Sequence, residues 1–246
     1  RGPNLEEDIA LTNIALDQLG AARLLLTHAG EDTGRTEDDL AYLRTDREFR
    51  NCLLVELPNG DFAVTMTKLL FLAAYQKPLY EELAAGDDAT LAAIAAKSAK
   101  ESAYHLDHAT LWALRLGDGT DESHRRMQAA VDELWPYTHE LFELYPGLRA
   151  GWLSTVEETL ATATLTRPPD GWRPTGGRSG VHTEHLSRLR MAHILQRLDR
   201  WRGQTVRGRI LRNRLQRQSA TCGGLIDRRL RRLVAVRIPF LSEDVV

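Results

Sequence analysis

The chain has 246 residues, 43% of them hydrophobic, and a formal net charge of −2, which suits one large domain or two small ones with a buried core. Two cysteines, Cys52 and Cys222, are too few for a disulfide framework and fit a reducing cytosol. No uninterrupted apolar run of about eighteen residues and no charged-then-apolar leader is visible, so neither a membrane span nor a signal peptide is expected.

In chain order, the spacing predicts a first helix over 5–28. Leu5, Ile9, Leu16, Leu19, Leu24 and Leu26 are apolar, and Glu6, Glu7 and Asp8 sit in the first turn, where they complement the helix dipole. Gly30 closes it. Thr36 with Asp39 resembles a capping arrangement, and Leu40, Leu43, Phe49, Leu53 and Leu54 extend a helical spacing to Pro58. After the turn at Pro58, Asn59 and Gly60, a long segment over 61–83 carries Phe62, Met66, four consecutive apolar residues at 69–72, and Leu79, with Pro78 expected to kink or end it. The next helix is placed over 89–116, ending at Gly117, Asp118 and Gly119, whose glycines suit left-handed positions. Two more follow, over 121–144, where Pro136 marks a boundary or a bend, and over 151–165. A glycine- and proline-rich loop then precedes a last helix from His182. No strand alternation and no repeat are visible, so an α-bundle is expected over 1–189.

The charge is unevenly spread. Residues 186–246 hold 15 Arg, no Lys and 4 acidic residues, whereas 1–185 hold 17 basic and 30 acidic ones. Two different compositions meet near residue 189.

The stretch KESAYHLDHATLW, from Lys100 to Trp112, raises the question of a metal. At 100° per residue, Glu101, His105, His108 and Trp112 share an arc of about 60° on a helix. A carboxylate-bridged di-iron bundle draws on about six ligands, a carboxylate from each of two helices and a Glu-x-x-His pair from each of two others. That pair is missing: the third residue after Glu48 is Asn51, after Glu56 it is Asn59, and after Glu101 it is Tyr104. Glu101 with His105 at i, i+4, and Asp121 with His124 at a helix start, are the nearest approximations. Bonding of the Glu101, His105 and His108 face to a neighbouring helix is therefore the preferred reading, with metal binding by Glu101 and His105 the alternative. His182 and His185 receive the same treatment: Thr183 is expected to cap the helix, and the histidines to bond loop carbonyls. Trp135, Tyr137, Phe142 and Tyr145 are expected in the core or at a contact between subunits. Lys68, among apolar neighbours, either reaches solvent or pairs with a buried carboxylate. The loops at 117–119 and 175–177 lack the lysine and preceding strand of a phosphate loop.

Four blocks carry a resemblance that periodicity does not: LEEDIALTNIALDQLGAARLLLTHAG, DDLAYLRTDREFRNCLLVELPNGDFAVT, YHLDHATLWALRLGDGTDESHRRMQAAVDELW and ATLTRPPDGWRPTGGRSGVHTEHL. In unbroken order over about 2–189 they resemble the family of C subunits of bacterial phenylacetyl-CoA epoxidases, also called phenylacetyl-CoA monooxygenases. The resemblance implies a ferritin-like bundle of long antiparallel helices within a cytoplasmic, heteromeric oxygenase of aerobic phenylacetate degradation. It further implies that this subunit is structural and supports a homologous catalytic subunit that holds the di-iron centre. A small bridging subunit and an NADPH-dependent flavin and iron–sulfur reductase complete the implied system. No catalytic, cofactor-binding or metal-binding residue is carried over, so no cofactor is expected in this chain.

Beyond about residue 189 the resemblance stops, and residues 190–246 form an Arg-rich tail of the kind an out-of-frame reading of a GC-rich gene, or a disordered segment, would give. A basic nucleic-acid arm is the competing reading. It is disfavoured because only Trp201 and Phe240 interleave the arginines. The functional expectation is thus a non-catalytic subunit. Its rivals are an autonomous metal-dependent oxidoreductase using Glu101 and His105 with Asp17, Glu48 and Glu56, and a nucleic-acid adaptor acting through the tail.

Overall fold

Short polar side chains dictate where most helices begin. Asn4, Thr36, Asp61, Asp88 and Thr120 stand in extended conformations, and each turns a side-chain oxygen onto a free N–H of the turn that follows. They open α1 (Leu5–Gly30), α2 (Glu37–Tyr42), α3 (Phe62–Ala84), α4 (Ala89–Gly117) and α5 (Asp121–Leu134). Each such cap stabilises its helix by about 1 kcal/mol. The sixth helix, α6 (Arg149–Thr162), continues instead from a 3₁₀ turn at Pro146–Leu148. The computed structural model describes residues 2–188, and no strand occurs among the described residues.

The centre of the molecule is α3. Every residue from 66 to 76 is buried, the pattern of a helix enclosed on all sides. It packs along α4 and also against α5 and α6. Aromatic rings fill the space between them: Phe71 lies 5.8 Å from Trp135 and 5.6 Å from Trp152, and Phe142 lies 5.2 Å from Trp152 and 5.6 Å from Tyr75. Trp152 donates its indole N–H to the Phe71 carbonyl at 2.9 Å, so a large apolar ring is buried without an orphaned donor. Trp135 and Phe142 thus belong to the core, as the sequence suggested. Tyr137 and Tyr145 are half-buried at its margin.

Against this unit lies α1, packed on α4 and α2. It runs antiparallel to α4, since His28 near its end meets Asp88 at the start of α4, while Asp17 meets His105 further along. By length and mean hydropathy (1.3), Leu5–Thr33 is long and apolar enough to cross a membrane. Its Gln18 and His28 are nevertheless buried against other helices, as befits a bundle helix. The fold is the all-α, ferritin-like bundle of long antiparallel helices expected from the sequence.

Four local expectations are corrected or narrowed. Residues 43–57 do not continue a helix; they form 3₁₀ turns at Asp46–Glu48 and Leu53–Glu56 separated by extended residues. Cys52, Leu54 and Val55 still reach the main core, but the residues around them are held by groups from distant parts of the chain, so helical spacing misleads. Pro78 does not end α3, which runs on to Ala84, and of the two outcomes expected of it a kink is the one left open. The helix expected over 121–144 stops at Leu134, and Pro136 marks a boundary, one of the two outcomes expected of it: the chain tightens there into a 3₁₀ helix at Trp135–Phe142. Finally, neither Gly117 nor Gly119 has a positive φ. A Cβ at Gly117 would lie 2.2 Å from the Ala163 carbonyl oxygen, so glycine is required there by the close approach of α4 to the end of α6. The helix expected from His182 is described only as far as residues 184–188, and the Arg-rich segment 190–246 lies outside the described residues.

Lys68 takes neither course expected of it. Fully buried, it donates to the carbonyls of Leu57 and Pro58 at 2.6 and 3.0 Å and to Asn59 Oδ1 at 3.1 Å, tying the turn before α3 to the helix. Burial pulls its pKa from 10.5 down to about 8, against a smaller opposing pull from Glu133. Below that value it is charged and its three protons meet three acceptors. Because the folded pKa lies below the unfolded one, folding releases a proton between pH 8 and 10.5, and stability rises with pH across that window. Denaturant unfolding at pH 8 and pH 10 is expected to show the parent gaining on the order of 2 kcal/mol relative to a Lys68→Met chain. Parallel pH profiles for the two would contradict the assignment.

Candidate functional site at the junction of α1, α3 and α4

A polar residue placed in the apolar register of a buried helix must find a partner inside. Gln18 occupies such a position on α1, flanked by buried Ile14, Ala15, Ala21 and Ala22, and Gln76 occupies one on α3. The two carboxamides bond reciprocally: Gln18 Nε2 donates to Gln76 Oε1 at 2.9 Å, and Gln76 Nε2 donates to Gln18 Oε1 at 3.1 Å. The second Gln18 proton points to His105 Nδ1 on α4, at 3.3 Å. His105 then presents Nε2–H to Asp17 Oδ2 at 3.1 Å. This network fixes the imidazole as the neutral tautomer protonated at Nε2. Burial, the dominant influence, lowers the pKa of His105 against the opposing pull of Asp17, in keeping with a neutral ring.

The histidine face of α4 therefore binds α1. His105 meets Asp17, and His108 Nε2 stands 3.2 Å from Glu7 Oε2. Glu101 turns away from His105 to pair with Lys97 one turn earlier. Of the five residues considered together as a ligand set, only Asp17 and His105 touch. Glu48 is an exposed acceptor for the N–H and hydroxyl of Thr45, and Glu56 is buried elsewhere. A carboxylate-bridged metal pair does not fit this donor set, since two carboxamides stand beside one imidazole and one half-exposed carboxylate. Among the described residues no cluster of three or more His, Cys, Asp or Glu side chains is arranged to hold a metal ion.

The remaining sequence candidates resolve into structural contacts. His124 donates to the Gly117 carbonyl at 2.7 Å, while Thr120, not Asp121, caps α5. His182 does bond a loop carbonyl, that of Phe49 at 3.1 Å, but its other nitrogen meets Glu56 Oε1 at 2.6 Å. Thr183 departs from expectation, giving both its N–H and its hydroxyl to Glu56 Oε2 at 2.8 and 2.9 Å. Glu56 also accepts from Asn51 at 2.6 Å. Burial opposes the charge on Glu56, yet the bonds from His182, Thr183 and Asn51 outweigh it and hold the carboxyl below its usual range. A second buried carboxylate, Glu140, accepts from Leu53 N at 2.7 Å and Gly177 N at 3.0 Å, and there burial prevails and raises the pKa. Together these two glutamates fasten the loop at 176–183 to the segment at 49–56. Sequence reasoning missed Gln18, Gln76 and Glu140, whose signal was a polar side chain in a core register.

On the outside of the same helices the chain is unusually apolar. Leu5, Ile9, Leu16 and Leu24 recur every turn or two along α1 and are 46–70% exposed, and Tyr104 and Leu111 of α4 are 80% and 57% exposed. Solitary exposed leucines are ordinary, but a stripe of them along one helix is the mark of a contact surface.

Comparison with known proteins gives one consistent answer. The sequence profile of the family described as "Phenylacetic acid catabolic protein" matches residues 1–217. That match runs past the compositional break near residue 189. The chain is also similar to the C subunit of the 1,2-phenylacetyl-CoA epoxidase of Escherichia coli (strain K12), with 44% identity over 200 residues, covering 75% of this chain and 81% of that protein.

Replacing Gln18 by Leu strips partners from Gln76 and from His105 Nδ1 at once. Each orphaned group costs about 1–3 kcal/mol, so a total loss of about 2–6 kcal/mol is expected in denaturant unfolding. The double change Gln18→Leu with Gln76→Leu is expected to recover part of that loss, and strictly additive costs would show that the carboxamides do not act as a pair.

Proposed function

The chain belongs to the phenylacetic acid catabolic protein family, and from that premise we propose that it is the non-catalytic structural subunit of a cytoplasmic, multicomponent phenylacetyl-CoA ring 1,2-epoxidase in aerobic phenylacetate catabolism. Its partners in this reading are a di-iron catalytic subunit, a small bridging subunit and a reductase. The observation that carries the reading is the bundle interior: where an oxygenase would gather carboxylates around a metal pair, α1, α3 and α4 are joined by Gln18, Gln76 and His105. Such a network is neutral and fully enclosed. It stabilises the bundle and leaves no open position at which oxygen or substrate could react.

The work then falls to the surface. The stripe of Leu5, Ile9, Leu16 and Leu24, extended by Tyr104 and Leu111, supplies the apolar centre that a lasting contact between subunits requires. A second bundle of similar shape is the natural cover for it. By holding the catalytic bundle along one flank, this chain limits the motion of helices that must keep their metal ligands in register.

Co-expression with the catalytic subunit tests the proposal. The pair is expected to co-purify, and epoxidation of phenylacetyl-CoA is expected to fall at least about tenfold when this chain is left out. Because Leu16 is exposed, Leu16→Asp is expected to weaken the pair without lowering the melting temperature of the isolated chain. Two iron atoms per isolated chain, or full turnover in its absence, would overturn the reading.

A further inference from the structure

Far from the Gln18 junction, at the margin of the core, Asp170 lies in the loop after α6 and gathers cations from three parts of the chain. Arg167 Nη2 stands 3.0 Å from Oδ1, while Arg149 Nη2 and Arg173 Nη2 stand 3.2 and 3.7 Å from Oδ2. Trp135 donates its indole N–H to Oδ1 at 3.4 Å, and His139 Nε2 lies 3.9 Å from the same oxygen. Glu157 is the other acid in reach, 3.2 Å from Arg167 Nε. Three guanidiniums thus face two carboxylates, and Arg149 and Arg173, at 38% and 49% side-chain exposure, each touch Asp170 with one nitrogen only.

Two features separate this locus from an ordinary solvated charge cluster. The side chain of His139 is nine-tenths buried, its Nε2 has no hydrogen-bond partner, and it is directed at the group. Its nearest acceptor, Asp170 Oδ1 at 3.9 Å, is too far for a hydrogen bond, so a buried ring nitrogen beside three guanidiniums keeps an unused donor position. Burial and then Arg173 are the largest influences depressing the pKa of His139, with Arg149 and Arg167 adding to them, so the surroundings are electropositive in spite of Asp170. Beside it, Trp172 is 69% exposed and meets Tyr137 edge-on, with ring centroids 6.0 Å apart.

We propose that Arg149, Arg167, Arg173 and His139 form a binding site for a phosphate group, either free phosphate or the phosphomonoester of a nucleotide whose base stacks on Trp172. The carboxylate of Asp170 holds the guanidiniums in place, and their free nitrogens present the forked donors that suit a tetrahedral dianion. His139 supplies a further donor from the buried side. An exposed indole offers a face on which any base can lie.

The test follows the His139 ring resonances of the ¹⁵N-labelled full chain, assigned by their loss in His139→Gln, during titration with sodium phosphate at fixed ionic strength set with sodium chloride. A saturable shift is expected, with half-saturation on the order of 1 mM or below. Arg149→Ala combined with Arg173→Ala is expected to weaken it at least about tenfold while the melting temperature holds, since both residues are part-exposed. Asp170→Asn, which removes a competing charge, is expected to tighten it several-fold. Adenosine 5′-monophosphate binding at least about tenfold more tightly than inorganic phosphate assigns the site to nucleotides, and equal affinity assigns it to free phosphate. A linear response matched by chloride, an equal affinity for acetate that marks a docking point for a carboxylate, or saturation unmoved by the paired arginine substitutions would overturn the proposal.

Discussion

Enclosing a helix on every side leaves its polar groups no recourse to water, and in this protein that constraint falls on α3. Two of its polar side chains, Lys68 and Gln76, could not remain buried unpaired without a penalty comparable to a sizeable share of a domain's stability. Each is resolved by drawing in another part of the chain. Lys68 binds the turn that leads into its own helix, and Gln76 binds α1, which in turn holds α4 through His105. The polar groups of α3 thus help to position the helices and turns around it, while Phe71 and Tyr75 of the same helix join the aromatic core.

The same constraint bears on chemistry. A bundle of this class can spend its interior on ligands or on closure. Carboxamides donate and accept without net charge, so Gln18 and Gln76 satisfy each other with no need of a cation between them. The charged groups at this junction, Asp17 and Glu101, sit at its edge, half-exposed or paired with a lysine. An interior settled in this way is consistent with a subunit whose contribution is made through contact.

Much of this was legible in the residues and some was not. The long helices, the cap at Thr36 and the aromatic core followed from spacing, because the period of 3.6 and the preference of Thr for a cap are local effects. The segment at 43–57 failed because its polar groups are satisfied at long range: the Leu53 N–H by Glu140, 87 residues on, and the Glu56 carboxylate by His182, 126 residues on. A window of one or two turns cannot see such partners. For the candidate site, the pairing of the histidine face with a neighbouring helix was anticipated, and Asp17 was named in the wrong company, as a ligand. Gln18 and Gln76 escaped notice because glutamine is usually a surface residue of helices, and only burial reveals that these two are not.

The clasp of Glu56 and Glu140 also orders events in time. Residues 49–56 are synthesised early, yet the Glu56 carboxylate is satisfied chiefly by His182 and Thr183, and the Leu53 N–H by Glu140, whose other oxygen waits for Gly177, so the clasp is complete only after α1 to α6 have been made. Helices α3 and α4 can pair as soon as they leave the ribosome, because their contacts are near neighbours in sequence. The early segment must wait, with Leu53 and the Glu56 carboxylate uncovered on one side, until the late loop closes over them. A nascent chain halted before residue 176 would therefore carry α1 to α6 with the seam at 49–56 still unclasped, the kind of surface on which chaperones act.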